Sequence, residues 1–142
     1  MHVSFALFAD AANLSQEGKL NILGVFDAVH VVQLPALHPR ATFVVRLKGA
    51  GSDVGSHDMT LRWINPRGTE LWSSSAELNI QAPPNPSAEM DLPVIAQIDL
   101  PLDMIGDFAM IVELDGTRHA EALLHVKGGA PVAVAPGSPL VS

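Results

Sequence analysis

Along most of this chain apolar and polar residues alternate one by one, and a period of two buries one face only when the backbone is extended into sheets. Val3, Phe5, Leu7 and Ala9 alternate with His2, Ser4 and Asp10, although Ala6 and Phe8 add apolar side chains on the other parity. Ala41, Phe43, Val45 and Leu47 alternate with Thr42, Arg46 and Lys48, and Met59, Leu61 and Trp63 with Thr60 and Arg62. Leu92, Val94, Ala96, Ile98 and Leu100 alternate with Gln97 and Asp99. No stretch carries a 3.6-residue period; residues 10–17 have room for one helical turn. Pro and Gly fall between the runs, which gives about eight strands: 2–10, 19–33, 41–49, 57–65, 69–81, 92–100, 107–114 and 117–127. Short strands at this spacing predict an all-β fold, a two-sheet antiparallel β-sandwich. The core is expected to include Phe5, Leu7, Phe43, Val45, Leu61, Trp63, Phe108 and Met110. Residues 1–127 form the domain, and the chargeless Pro/Gly-rich segment 128–142 reads as a flexible tail.

Two turns fix a register. At Asp115-Gly116 a two-residue loop would pair Leu114 with Thr117, Val112 with His119 and Met110 with Glu121, which mixes apolar and charged residues on both faces. A three-residue loop with Gly116 as a left-handed bulge instead pairs Glu113 with Thr117 and groups Phe108, Met110 and Val112 with Arg118, Ala120, Ala122, Leu124 and Val126, the Arg118 charge reaching water at the end of the face. At Asn65-Pro66-Arg67-Gly68, Pro66 presets φ and Gly68 supplies the left-handed residue. Pairing Asn65 with Thr69 sets Arg62 opposite Trp72, a cation–π geometry. The apolar parity then changes before Ala76, Leu78 and Ile80, which predicts a β-bulge within Ser73–Ser75.

The 142 residues carry no cysteine, so disulfides, thiolate metal sites and cysteine nucleophiles are all excluded, and the cytoplasm is mildly favoured. A formal net charge of −7, with scattered Lys and Arg, argues against nucleic acid and against an anionic membrane surface. The opening MHVSFALFAD lacks the basic start of a secretory signal and reads as a strand.

Candidate sites are weak. Of the six histidines, His119 and His125 share a strand with Glu121, but about 20 Å of strand separates the two imidazoles, too far to share one ion. His2, His30, His38 and His57 have no spacing partner and read as surface residues. Asp10, Asn13, Glu17 and Asp27 could supply calcium ligands from loops, but without a D-x-D run turn chemistry is the simpler reading. Asp103 and Asp107 flank a strand start and read the same way. There is no G-x-S-x-G elbow, and GAGSDVG at 49–55 lacks the Gly-Lys-Ser/Thr of a phosphate loop. No catalytic, cofactor-binding or metal-ligating residue is therefore assigned, and no cofactor is expected.

The opening FALFADAAN, the segment EGKLNILGVFD, the Pro35-Ala36-Leu37-His38-Pro39 run and the hairpin from Gly106 to Gly116 together carry a resemblance. They resemble an uncharacterised bacterial family known only as a domain of unknown function, over most of the chain to about residue 127. The resemblance implies a compact bacterial β-sandwich with no established activity and no functional residues to transfer. The Gly106–Gly116 hairpin is also similar to those of immunoglobulin-like and C2-like sandwiches. The expected function is a non-enzymatic binding or scaffolding module. The apolar strand 19–33 is its natural surface, for an unknown protein partner or for self-association, unless it lies buried mid-sheet. A small-ligand or calcium-binding sandwich is the alternative, using the Asp10–Lys19 and Asp103–Asp107 loops, and an enzyme ranks last.

Overall fold

β-branched and aromatic residues at alternate positions favour extended backbone, and the computed structural model, which describes residues 1–85 and 88–129, is built of strands. In chain order these are β1 (His2–Leu14), β2 (Leu20–Phe26), β3 (Ala28–Val31), β4 (Ala36–Gly49) and β5 (Gly55–Ile64). They continue with β6 (Glu70–Ile80), β7 (Met90–Leu102), β8 (Gly106–Leu114) and β9 (Thr117–Gly128). One 3₁₀ turn, Gly51–Asp53, joins β4 to β5, and no α-helix occurs among the described residues. One sheet has the order β2-β1-β4-β7, the other β3-β9-β8-β5-β6. The proposed tail falls, from residue 130 onward, outside the described residues.

Both sheets contribute to one core. Phe8, Phe43, Val45, Leu47 and Leu100 come from the first sheet; Leu61, Trp63, Phe108, Met110 and Leu124 come from the second. Trp63 is the tie between them. Its ring is fully buried, meets Phe8 edge-on at 5.9 Å and stacks on Phe108 at 5.2 Å. Its indole N–H donates to the Pro101 carbonyl on β7 at 2.9 Å, so the one polar atom of the ring is satisfied across the core.

Several expectations are corrected, those of register by the rule that one extra residue flips every side chain beyond it. Strand 19–33 is two strands in different sheets, so the fold has nine described strands, and β3 runs parallel to β9 rather than antiparallel. Neither piece lies mid-sheet: β2 and β3 are both edges. Residues 10–14 extend β1 instead of forming a helical turn. In β1 a register shift between Val3 and Phe5 leaves Ser4 unpaired, so Phe8 pairs with Phe43 and faces the core. Phe8 is 1% exposed, whereas Phe5 and Leu7, the expected core residues, are only half-buried.

The Asp115-Gly116 loop has two residues, not three, with positive φ at both and Leu114 paired with Thr117. The bulge comes one step later: Glu113 pairs with Arg118 and Val112 with Ala120, leaving His119 extra. Phe108, Met110 and Val112 thus still share a face with Ala120, Ala122 and Leu124, while Arg118 is turned outward. The Pro66–Gly68 turn closes through Asn65, whose N–H donates to Thr69 O at 2.9 Å. Here the phase change occurs at Leu71: Ile64 pairs with Glu70 and Trp63 with Trp72, while the ladder through Ser73–Ser75 is regular. Arg62 accordingly lies opposite Ser73 rather than Trp72, and its guanidinium bridges Glu70 and Glu113 at 2.8 and 2.7 Å.

The phase of β1 separates two substitutions. Phe8→Ala empties a packed site and is expected to cost about 3–5 kcal/mol. Leu7→Ala, on the outer face, should cost under about 2 kcal/mol. Urea unfolding followed by tryptophan fluorescence measures both; equal losses would place the phase of β1 wrongly.

Candidate functional site

A strand that changes sheets cannot stay paired to both. β2 lies along β1 until the last pair, Phe8 with Phe26, and one residue later β3 lies along β9 from Ala28 with His125 to Val31 with Gly128. Asp27 is the crossing residue, and its carbonyl accepts the His125 N–H at 2.7 Å. Among the described residues, therefore, β1 from His2 to Leu7 and β9 from Thr117 to Leu124 have no strand on this side. Their alternate N–H and C=O groups form unpaired rows.

Between these two rows lies a groove of about 370 Å³, with Ala6, Leu7 and Phe8 on one wall, Ala122 and Leu123 on the other, and Val25 and Phe26 at its end. Asp27, Glu121 and His125 complete the lining. The Phe26 ring stacks on Phe8 at 6.0 Å and meets His38 at 5.4 Å, which closes the inner end. His125 Nδ1 lies 2.6 Å from Asp107 Oδ1, and Glu121 is paired with Arg118. Outside the groove the apolar surface continues on β2, where Leu23 is 68% and Val25 60% exposed.

The opposite flank, between β6 and β7, is also open. Grooves of about 270 and 290 Å³ run there beside Leu61, Trp72, Leu78, Val94 and Ile98. Pro93 and Pro101 interrupt the donor row of β7, which makes that edge a poor template for another strand.

Most of the acids weighed as loop ligands are engaged locally. Asp10 folds over Gly24, which sits at φ +68° and where an added Cβ would collide with the Asp10 carboxylate. The Asn13 side-chain oxygen accepts from Asn21 Nδ2 at 2.9 Å, and Glu17 pairs with Lys19 at 3.2 Å. Asp103 accepts from Asn65 Nδ2 at 3.0 Å, and Asp107 is held by His125. No group of three or more His, Cys, Asp or Glu suited to a metal ion occurs among the described residues. No helix there is long and apolar enough to cross a membrane.

His57, which no spacing singled out, is the most tightly held imidazole. Nε2 lies 2.6 Å from the Asp53 carbonyl and Nδ1 lies 2.6 Å from Asp115 Oδ2. Both partners accept, so only the imidazolium, with a proton on each nitrogen, donates to both. The hydrogen bond to Asp115, then that to Asp53, raises the His57 pKa above 6.5. Asp115 is lowered below 3.8 by His57 and by the Asp58 N–H, which donates to Oδ1 at 2.9 Å. Asp53 is lowered by the Ala50 N–H and by the amino group of Met1. The cluster clamps the 3₁₀ turn and the β8–β9 loop to β5. It closes one end of the fold, where Met1, Ala50 and Gly51 also line a cavity of about 280 Å³.

A family of unknown function, DUF6941, matches residues 4–127. No curated protein matches the chain.

The His57 clamp has a defined pH window. A raised histidine pKa contributes stability that is complete below 6.5 and disappears as pH rises through the folded value, whereas the lowered Asp115 loses its share as pH falls below 3.8. The stability difference between wild type and His57→Gln should thus be largest between these limits and shrink in alkaline buffer. Urea midpoints measured across that range test it; a difference growing with pH would contradict it.

Proposed function

We propose that this chain, which belongs to DUF6941, a family of unknown function, is a non-enzymatic binding or scaffolding module that takes a protein partner on its open strand edge. The observation that carries the reading is the continuity of the β1–β9 groove with exposed Leu23 and Val25 on an edge strand. Large apolar side chains beside an unpaired backbone row invite a further strand, and folds without a partner there usually cover or charge the edge. Asp103, Asp107 and Asp115, with His57 and His125, are engaged in turns and ion pairs, which supports a role without catalysis and without a bound cation. A net charge of −7 supports a partner that is neither nucleic acid nor an anionic membrane. The finer classification we assign is an immunoglobulin-like or C2-like sandwich, supported by the core that both sheets share. The lack of cysteine supports a cytoplasmic setting, which we take to be bacterial.

A photo-crosslinking amino acid placed at position 25 or at position 75 tests the edge in cells of the native host. The reading expects one discrete higher-mass adduct from position 25, lost with Leu23→Lys, and none from position 75 on β6. Equal adducts from both positions, or none from position 25, would contradict it.

A further inference from the structure

We infer that the unpaired row of β1, residues 2–7, accepts one extended segment of a partner polypeptide, antiparallel and in line with β2, in which apolar and basic residues alternate; this rests on the binding reading above. Every pair within the four-stranded sheet is antiparallel, and a segment continuing the line of β2 past Phe26 would extend that pattern. Such a segment sends alternate side chains to opposite faces. On the inner side it would meet Ala6 on β1 and Ala120 and Ala122 on β9, small residues packed against the core. They leave the 370 Å³ groove, which apolar side chains of the segment would fill.

Charge selects the occupant. Asp27 and Glu121 line the groove, and Asp107 lies beside it through His125. The nearby basic side chains are already engaged, Arg118 by Glu121 and His125 by Asp107. Asp27 has no ion pair among the described residues, so its exposed carboxylate is left for a Lys or Arg of the partner. A second copy is a poor occupant: each carries a net charge of −7, and residues 2–7 contain no Lys or Arg. Residues 130–142 of the chain itself contain no charged residue, so they would leave the Asp27 carboxylate unanswered.

The test titrates the full chain, labelled with nitrogen-15, with Lys-Val-Lys-Val-Lys-Val, its Glu-for-Lys counterpart, and the lysine peptide N-methylated at its valines. Amide shifts map the contact. The lysine peptide should move the amides of Val3 to Leu7 and of Ala120 to Leu124. The glutamate peptide should bind at least about tenfold more weakly, and N-methylation should abolish the shifts. Asp27→Asn should weaken the lysine peptide severalfold. Shifts confined to β6 and β7, indifference to N-methylation, equal binding of the glutamate peptide, or no shifts at millimolar peptide would each overturn the inference. So would concentration-dependent self-association through the same amides, or movement of Val3 to Leu7 on deleting residues 130–142, since these name a second copy or the chain's own end as the occupant. Loss of the position-25 adduct overturns the binding reading itself; failure of the peptide with that adduct intact overturns only the chemistry assigned to the partner.

Discussion

The architecture turns on Asp27. Stacked sheets keep their mean planes about 10 Å apart, so a chain that leaves one sheet at Phe26 and joins the other at Ala28 can do so only where the two edges converge. The His125 N–H to Asp27 carbonyl bond, at 2.7 Å, holds that corner shut. The same crossing consumes the strand that would otherwise have run the full length of either edge. β2 covers one end of β1 and β3 covers one end of β9, and what neither reaches is the groove. Closure at one point and exposure beside it are two consequences of one connection.

Away from that corner, packing rather than pairing holds the sheets together. Trp63 touches Phe8 and Phe108 and bonds the Pro101 carbonyl, so it joins β5, β8, β1 and β7 at once. Each neighbouring strand must present the correct parity to it, and single extra residues at Ser4, Leu71 and His119 provide that adjustment. Alternation made the strands and the sided core legible: Phe43, Val45, Leu61, Trp63, Phe108 and Met110 are buried as expected. The position of each bulge was not legible. At Gly116 the alternation gives the correct face for every residue but Arg118 and the wrong loop, because a bulge in the turn and a bulge just beyond it give the same parity from Ala120 onward. At Ser73–Ser75 the phase change was real but lay two residues earlier, at Leu71. Strand 19–33 was read as one element because apolar residues on both parities fit a strand that swaps sheets as well as one buried on both faces.

The polar features were hidden for a different reason. His57 meets Asp115 across 58 residues of sequence, and His125 meets Asp107 across 18, so neither pair has a spacing that could announce it. Arg62 is similar: its carboxylates at Glu70 and Glu113 come from two different strands. The groove is least visible of all, since it is defined by a strand that is missing. Only the apolar excess of residues 20–31 pointed to it, through Leu23 and Val25.

Backbone amide hydrogen exchange on the isolated protein tests the unpaired rows most directly. Along β9 protection should be continuous at His125 and Val126, where strands lie on both sides, and should alternate from Ala120 to Leu124, where only β8 does. The same alternation should run through Val3 to Leu7. Continuous protection across Ala120 to Leu124 and Val3 to Leu7 would mean that another strand already fills the line beyond Phe26, and the account of an open edge would be wrong.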